Sequence, residues 1–330
     1  MIKKIPSFID LHVHFRDPGF NQKETILTGL KSAYFGGFGA VCTMPNTNPV
    51  CDNPKIAEYM INKAKSTGLE VELYPVSAIT KNLDSDILVN FDEMKNAGAI
   101  AFSNDGLPVL NKDVLIKALK TGEIIMSHLE NETAEAKWQI EILDEVTNIA
   151  KKGECNFPRL HFCHISKKET IELIKLAKQK GLNLTAETAP HYFTFTKENL
   201  DNTGRFKMNP PLGSKEDKSA VIKAVIEGTI DIISTDHAPH TNEEKLKPYT
   251  ASPNGITGLE TAFSLSYQTF GLDLALEKMA YAPRKLLNIN PKREITVDLD
   301  EKWTVKGENF NSKCKITPYQ DMELKGKILC

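Results

Sequence analysis

Residues 159–178, RLHFCHISKKETIELIKLAK, contain the unit that decides the fold. A short apolar run suited to a buried strand ends at histidines. It gives way to a stretch in which apolar residues recur every three or four positions, the period of an amphipathic helix. The same order repeats along the chain. Apolar runs at 5–13, 40–45, 71–79, 98–103, 123–129, 159–166, 182–190 and 229–240 predict strands. Amphipathic stretches at 23–35, 53–65, 84–95, 112–119, 132–151, 167–178, 215–227 and 257–270 predict the helices between them. Strands alternating with helices build a parallel α/β sheet, and eight such units close a (β/α)8 TIM barrel. The strand runs are continuously apolar, as expected where helices cover the outer face. From residue 291 the pattern changes to short β-like runs. The expected division is a barrel over 1–290 and an extension over 291–330 that packs beside it.

Composition narrows the class. In 330 residues, 41 lysines and arginines face 43 aspartates and glutamates, a formal net charge of −2. That balance excludes a nucleic-acid binder held mainly by phosphate neutralisation. No apolar run reaches the ~18–20 residues of a membrane span, and MIKKIPSFIDLH lacks the apolar core of a secretion signal. Cys42, Cys51, Cys155, Cys163, Cys314 and Cys330 show no CxxC spacing and read as reduced thiols of a cytoplasmic protein.

A barrel builds its site at the C-terminal ends of its strands. There stand His12 and His14, spaced so that both face one side of the strand, with Asp105, His128, His164 and Asp236. Four imidazoles and two carboxylates at one mouth suit zinc. Six ligands exceed the need of one tetrahedral ion, whereas two ions ~3.5–4 Å apart share a bridging carboxylate and a hydroxide. Each piece alone is weak, since HxH pairs also occur as plain structure and Asp105–Gly106 is by itself a turn. Their joint placement carries the reading. Alternation sets His161 and Cys163 away from His164, the first as a satisfied structural histidine and the second as core filler. Only five of the 41 basic residues are arginine. Arg16, two residues past His14, is therefore a candidate fork for an anion, a geometry lysine cannot supply.

The stretches IDLHVHFRDPG, ETILTG, GGFGAVCTMPNTNPV, AFSNDG, MSHLEN, CHIS, TAETAPHYF, FKMNPPL, STDHAPH and GITGLETAF resemble the class I dihydroorotases of the amidohydrolase superfamily, over residues 9–287. The resemblance implies an amidohydrolase-type barrel that interconverts N-carbamoyl-L-aspartate and L-dihydroorotate in cytoplasmic pyrimidine synthesis. It implies two zinc ions per chain, bridged by Asp105 and a hydroxide. His12 and His14 would hold the more buried ion, and His128 and His164 the second. Asp236 is expected as both ligand and general acid/base. Arg16, Asn46, Asn209 and His240 match substrate-binding positions, His14 also faces the substrate, and the Asn254–Gly255 backbone completes the pocket. The chemistry fits: a ring amide needs a hydroxide at neutral pH, a proton carrier and a cation for the tetrahedral oxyanion.

Some features depart from the family. Asn104 stands where the family often has a first aspartate, and Asn254 replaces a more usual apolar residue. Only eleven residues precede His12, so the flanking β-sandwich is expected to be reduced or absent. The partner is a small molecule, not nucleic acid or membrane; a homo-oligomer and association with aspartate transcarbamoylase stay open. The competing readings are another cyclic-amide hydrolase, such as a hydantoinase or allantoinase, and an inactive scaffold for a transcarbamoylase. The first typically wants a modified lysine on the fourth strand, which AFSNDG lacks; the second usually loses ligands, and all six are present.

Overall fold

The computed structural model describes residues 1–84 and 86–329. Cys330 lies outside them, and the five other cysteines are free. The chain opens with β1 (Ile2–Pro6), outside the barrel. Eight parallel strands follow in chain order: β2 (Phe8–Val13), β3 (Phe38–Thr43), β4 (Glu72–Ser77), β5 (Ala101–Phe102), β6 (Ile124–Ser127), β7 (Arg159–Phe162), β8 (Leu184–Thr188) and β9 (Ile232–Ile233). Helices connect them and cover the sheet, giving the (β/α)8 architecture the sequence predicts. No helix among the described residues is long and apolar enough to cross a membrane.

The last strand meets the first through little more than a seam. Val13 and His237 form an isolated parallel bridge, and the His14 N–H donates to the His237 carbonyl at 2.8 Å. Beside them the buried Asp10 carboxylate accepts the Thr235 N–H at 3.1 and 3.3 Å. Strand side chains divide between two cores, as parallel barrels require. Ile9, Leu11, Cys42, Val76, Ala101, Met126, Cys163 and Ile232 pack together inside. Phe8, Val41, Phe102, Ile125, Phe162 and Ile233 join the larger core beneath the helices.

Two local expectations need correction. The run over 5–13 is not one strand. It breaks at Ser7, whose N–H donates to the Arg293 carbonyl at 3.1 Å, so that β1 enters a second sheet. The helix expected over 84–95 is a 3-10 turn at Lys81–Leu83 and a helix at Phe91–Asn96, with Ser85 outside the described residues. Between them Thr80 bridges Leu88, and the Val89 N–H donates to Ile79 at 3.0 Å. Those extended bonds override helix propensity, and the Asn90 side chain starts the helix by accepting the Glu93 N–H at 3.2 Å.

β10 (Glu294–Thr304) and β11 (Glu323–Leu329) pair antiparallel, and β1 pairs with β10. This three-stranded sheet is the reduced flank. It docks on the helix Ala262–Phe270, where the Trp303 indole N–H lies 3.2 Å from Ser264 Oγ.

Candidate metal centre and its cavity

One cavity of about 400 Å³ opens at the C-terminal ends of the strands. His12, His14, Asp105, His128, His164 and Asp236 line it, together with Arg16, Asn46, Asn209, His240, Asn254 and Gly255. Every site residue named from the sequence thus borders the same space.

The imidazoles are held from behind. His12 Nδ1 lies 2.9 Å from the Glu187 carboxylate, His14 Nδ1 2.9 Å from Asn46 Oδ1 and His128 Nδ1 3.0 Å from Ser103 Oγ. For His12 and His14 the partner is an acceptor, so the proton sits on Nδ1 and the Nε2 lone pair points forward. The forward atoms crowd together. His12 Nε2 is 3.2 Å from His128 Nε2, and His14 Nε2 is 3.1 Å from Asp105 and 3.3 Å from Asp236. Asp105 also stands 3.4 Å from His128 Nε2, and its buried Oδ2 has no hydrogen-bond partner. Among the described residues, ligand atoms fall into three sets within 4.8 Å of one another: His12, His14 and Asp105; His12, His128 and His164; and, behind His12, His12, Cys163 and Glu187. Imidazole nitrogens and carboxylates converging at these distances suit a shared cation. The residues therefore fit divalent metal.

Burial alone would raise the Asp105 and Asp236 carboxyls, but the facing imidazoles win and hold both well below the usual carboxylate range. Burial lowers His128 to about 3 and lowers His164 as well, favouring the neutral imidazoles that bind metal.

The opposite wall is made of donors. Arg16 Nε donates to the Pro239 carbonyl at 3.2 Å, and its NH2 lies 3.4 Å from His240 Nε2. The Asn254 carbonyl is taken by His240 Nε2 at 2.7 Å, and the Gly255 N–H by the Lys207 carbonyl at 3.0 Å. That stretch is shaped by Gly255, at φ +129°, where an added Cβ would meet the Ala238 carbonyl oxygen at 2.3 Å.

Three non-glycine residues of the cavity have left-handed backbone: Arg16 (φ +60°), His164 (φ +38°) and Asp236 (φ +46°). Such strain persists only where surrounding structure imposes it, and it gathers at functional sites. The roles expected of His161 and Cys163 hold, and the backbone at His164 explains why its ring parts from theirs. Both face the barrel interior, Cys163 in the inner core and His161 with Nδ1 2.8 Å from Thr185 and Nε2 3.4 Å from Glu187. β7 has ended by His164, and the positive φ there, not simple alternation, turns the ring to the mouth.

Sequence reasoning missed Glu187, which holds His12, approaches His161 and accepts from Ser234 Oγ. It lies in TAETAP, where an acidic residue inside an apolar strand was the available signal. It also missed Lys23, 3.1 Å from His240 Nδ1, and Lys245, fully buried and donating to the Lys207 and Pro253 carbonyls at 3.1 Å each.

A family model described as dihydro-orotase-like matches residues 3–137. The chain is 39% identical to a dihydroorotase of Desulforapulum autotrophicum, covering 98% of this chain and 84% of the relative. It is 38% identical to one of Syntrophus aciditrophicus, with the same coverage. Among solved structures, L-hydantoinase from Arthrobacter aurescens superposes with a TM-score of 0.81 at 24% identity, over 98% of this chain and 82% of that one. That likeness concerns the fold.

Proposed function

The chain belongs to the dihydroorotase family, and from that premise we propose that this cavity carries out the reversible hydrolysis of L-dihydroorotate to N-carbamoyl-L-aspartate with two zinc ions. The observation that carries the reading is the meeting of two unlike walls, metal ligands on one side and the Arg16 fork on the other, across one small cavity.

His12 and His14 with Asp105 would hold one ion, and His128 and His164 with Asp105 the other; Asp236 reaches the first. When bound, the ions supply a hydroxide at neutral pH and a positive partner for the oxyanion. Arg16 grips the substrate carboxylate through parallel N–H bonds and so orients the ring. Asn46, its Oδ1 engaged by His14, directs its amide N–H groups to the substrate, and Asn209 and His240 complete the donor wall. Asp236 stays ionised, accepts the proton released on attack at the ring carbonyl, and returns it to the departing nitrogen. Cyclisation runs the same transfers backwards.

Hydantoinase-like activity is the second reading, favoured by the fold neighbour. Against it, the strand-end position on β5 offers Asp105 and no lysine. Turnover of dihydroorotate beside hydantoin and allantoin decides between them: the proposal expects dihydroorotate alone to be a good substrate, and preference for hydantoin would overturn it. Zinc content by elemental analysis separates both from an inactive scaffold. A cytoplasmic location, and assembly with a second copy or with aspartate transcarbamoylase, rest on the family alone; gel filtration tests assembly.

A further inference from the structure

We propose that Lys23 is a positioning residue for the substrate carboxylate, acting by fixing the tautomer of His240; the proposal rests on the substrate reading above. Lys23 Nζ lies 3.1 Å from His240 Nδ1 and 3.3 Å from Glu244 Oε1. An ammonium has only donors, so Nδ1 must accept and the ring proton must sit on Nε2. The far end of the ring agrees, since Nε2 lies 2.7 Å from the Asn254 carbonyl oxygen, which only accepts. The other tautomer would set donor against donor at one end and lone pair against lone pair at the other.

The ring is also held neutral. Burial first, then the neighbouring charges of Arg16 and Lys23, lower His240 to about 3, with Lys245 adding to them and Glu244 standing 3.4 Å from Nδ1. Glu244 is fixed independently: its Oε2 accepts the Thr241 N–H at 2.9 Å in the capping box of Asn242–Leu246. Lys23 is thus pinned between a fixed carboxylate and the imidazole. The consequence reaches the cavity through Arg16, whose NH2 stands 3.4 Å from Nε2. With its Nε2 proton given to the Asn254 carbonyl, the ring is locked in place beside the Arg16 guanidinium, and it thereby fixes where the free N–H groups of that fork meet a substrate carboxylate. Lys23 touches no substrate itself.

The test uses the zinc-loaded full chain. Lys23→Met removes the donor and keeps most of the stem; Lys23→Arg keeps a donor. For Lys23→Met, KM for dihydroorotate is expected to rise about five- to thirtyfold, less than outright loss of a charge-assisted contact because the Arg16 fork remains, with kcat changed less than about threefold. Zinc content and Tm should stay at wild-type values, and Lys23→Arg should recover part of the KM. Nitrogen NMR of labelled wild-type protein should show His240 protonated at Nε2. A proton on Nδ1, an unchanged KM in Lys23→Met, or parallel loss of kcat, zinc and KM overturns the positioning role. A wild-type chain that does not turn over dihydroorotate strikes the substrate reading instead.

Discussion

The acceptor wall and the donor wall of the cavity differ in how they are built as well as in what they offer. His12 lies on β2 and His14, Asp105, His128 and His164 follow barrel strands, and three of the four imidazoles are backed by a partner on Nδ1, buried Glu187 and Ser103 and half-buried Asn46. Arg16, Asn209, His240 and Asn254 stand on loops, stitched together by two lysines and a few backbone carbonyls. The first wall is preorganised by the barrel itself, which suits ions that demand fixed geometry. The second can be reshaped by changing loop residues without disturbing the barrel, and under the proposed function it is where the choice among cyclic amides would be made. Damage to the two walls should therefore be read by different measurements.

The largest effect should come from emptying the acceptor wall. Chelation is expected to abolish turnover, and Zn²⁺ to restore it, with about two zinc ions per active chain by elemental analysis. His12→Ala should lose metal, because a site short of a ligand holds its ion poorly; full turnover by stripped protein would break the comparison at once. Next comes Asp236→Asn, which keeps shape and one oxygen but cannot carry a proton. Turnover should fall in both directions by roughly 10²–10⁴-fold, while metal content falls less than in His12→Ala. A folded, metal-loaded variant with more than about a tenth of wild-type kcat would remove Asp236 from proton transfer.

On the donor wall the losses should appear in KM. Arg16→Lys retains charge and loses the fork, so the penalty in kcat/KM is expected near 1.5–3 kcal/mol. Equal kcat/KM would make Arg16 structural. The smallest effect concerns Lys245, which burial lowers to about 8 from 10.5. Between those values the unfolded chain binds the proton and the folded chain does not, so this lysine makes stability rise with pH and withholds that gain as pH falls through 8. Chemical denaturation of wild type and Lys245→Met from pH 8 to 10 should show the difference, wild type minus variant, growing by up to about 1 kcal/mol per pH unit. A flat difference would mean that Lys245 titrates normally.

Much of the acceptor wall was legible because histidine or aspartate ends several apolar runs of one chain together, as His14, Asp105, His128, His164 and Asp236 do. The barrel was legible for the same reason, from the alternation of runs and amphipathic stretches. What stayed hidden depends on contacts distant in sequence. Glu187 matters only because β8 brings it behind His12, and Lys23 only because the loop after β9 returns to it. Alternation gave His161 and Cys163 their roles but could not set the direction of His164, because β7 ends at Phe162 and a left-handed backbone at His164 turns its ring. The helix expected over 84–95 failed because residues 87–89 find extended partners in 79–81.

The seam at Val13 and His237 bears on how the protein comes into being. His12 and His14 precede Asp236 and His240 in the chain, separated from them by β3 to β8, so they leave the ribosome well before those partners do. Until the last strand docks beside the first, the early histidines have no carboxylate from that side and no substrate wall facing them. Under the proposed function, chains that end before β9 would be inert, because they lack Asp236 and His240. On that proposal, turnover by this molecule would report that the barrel has closed.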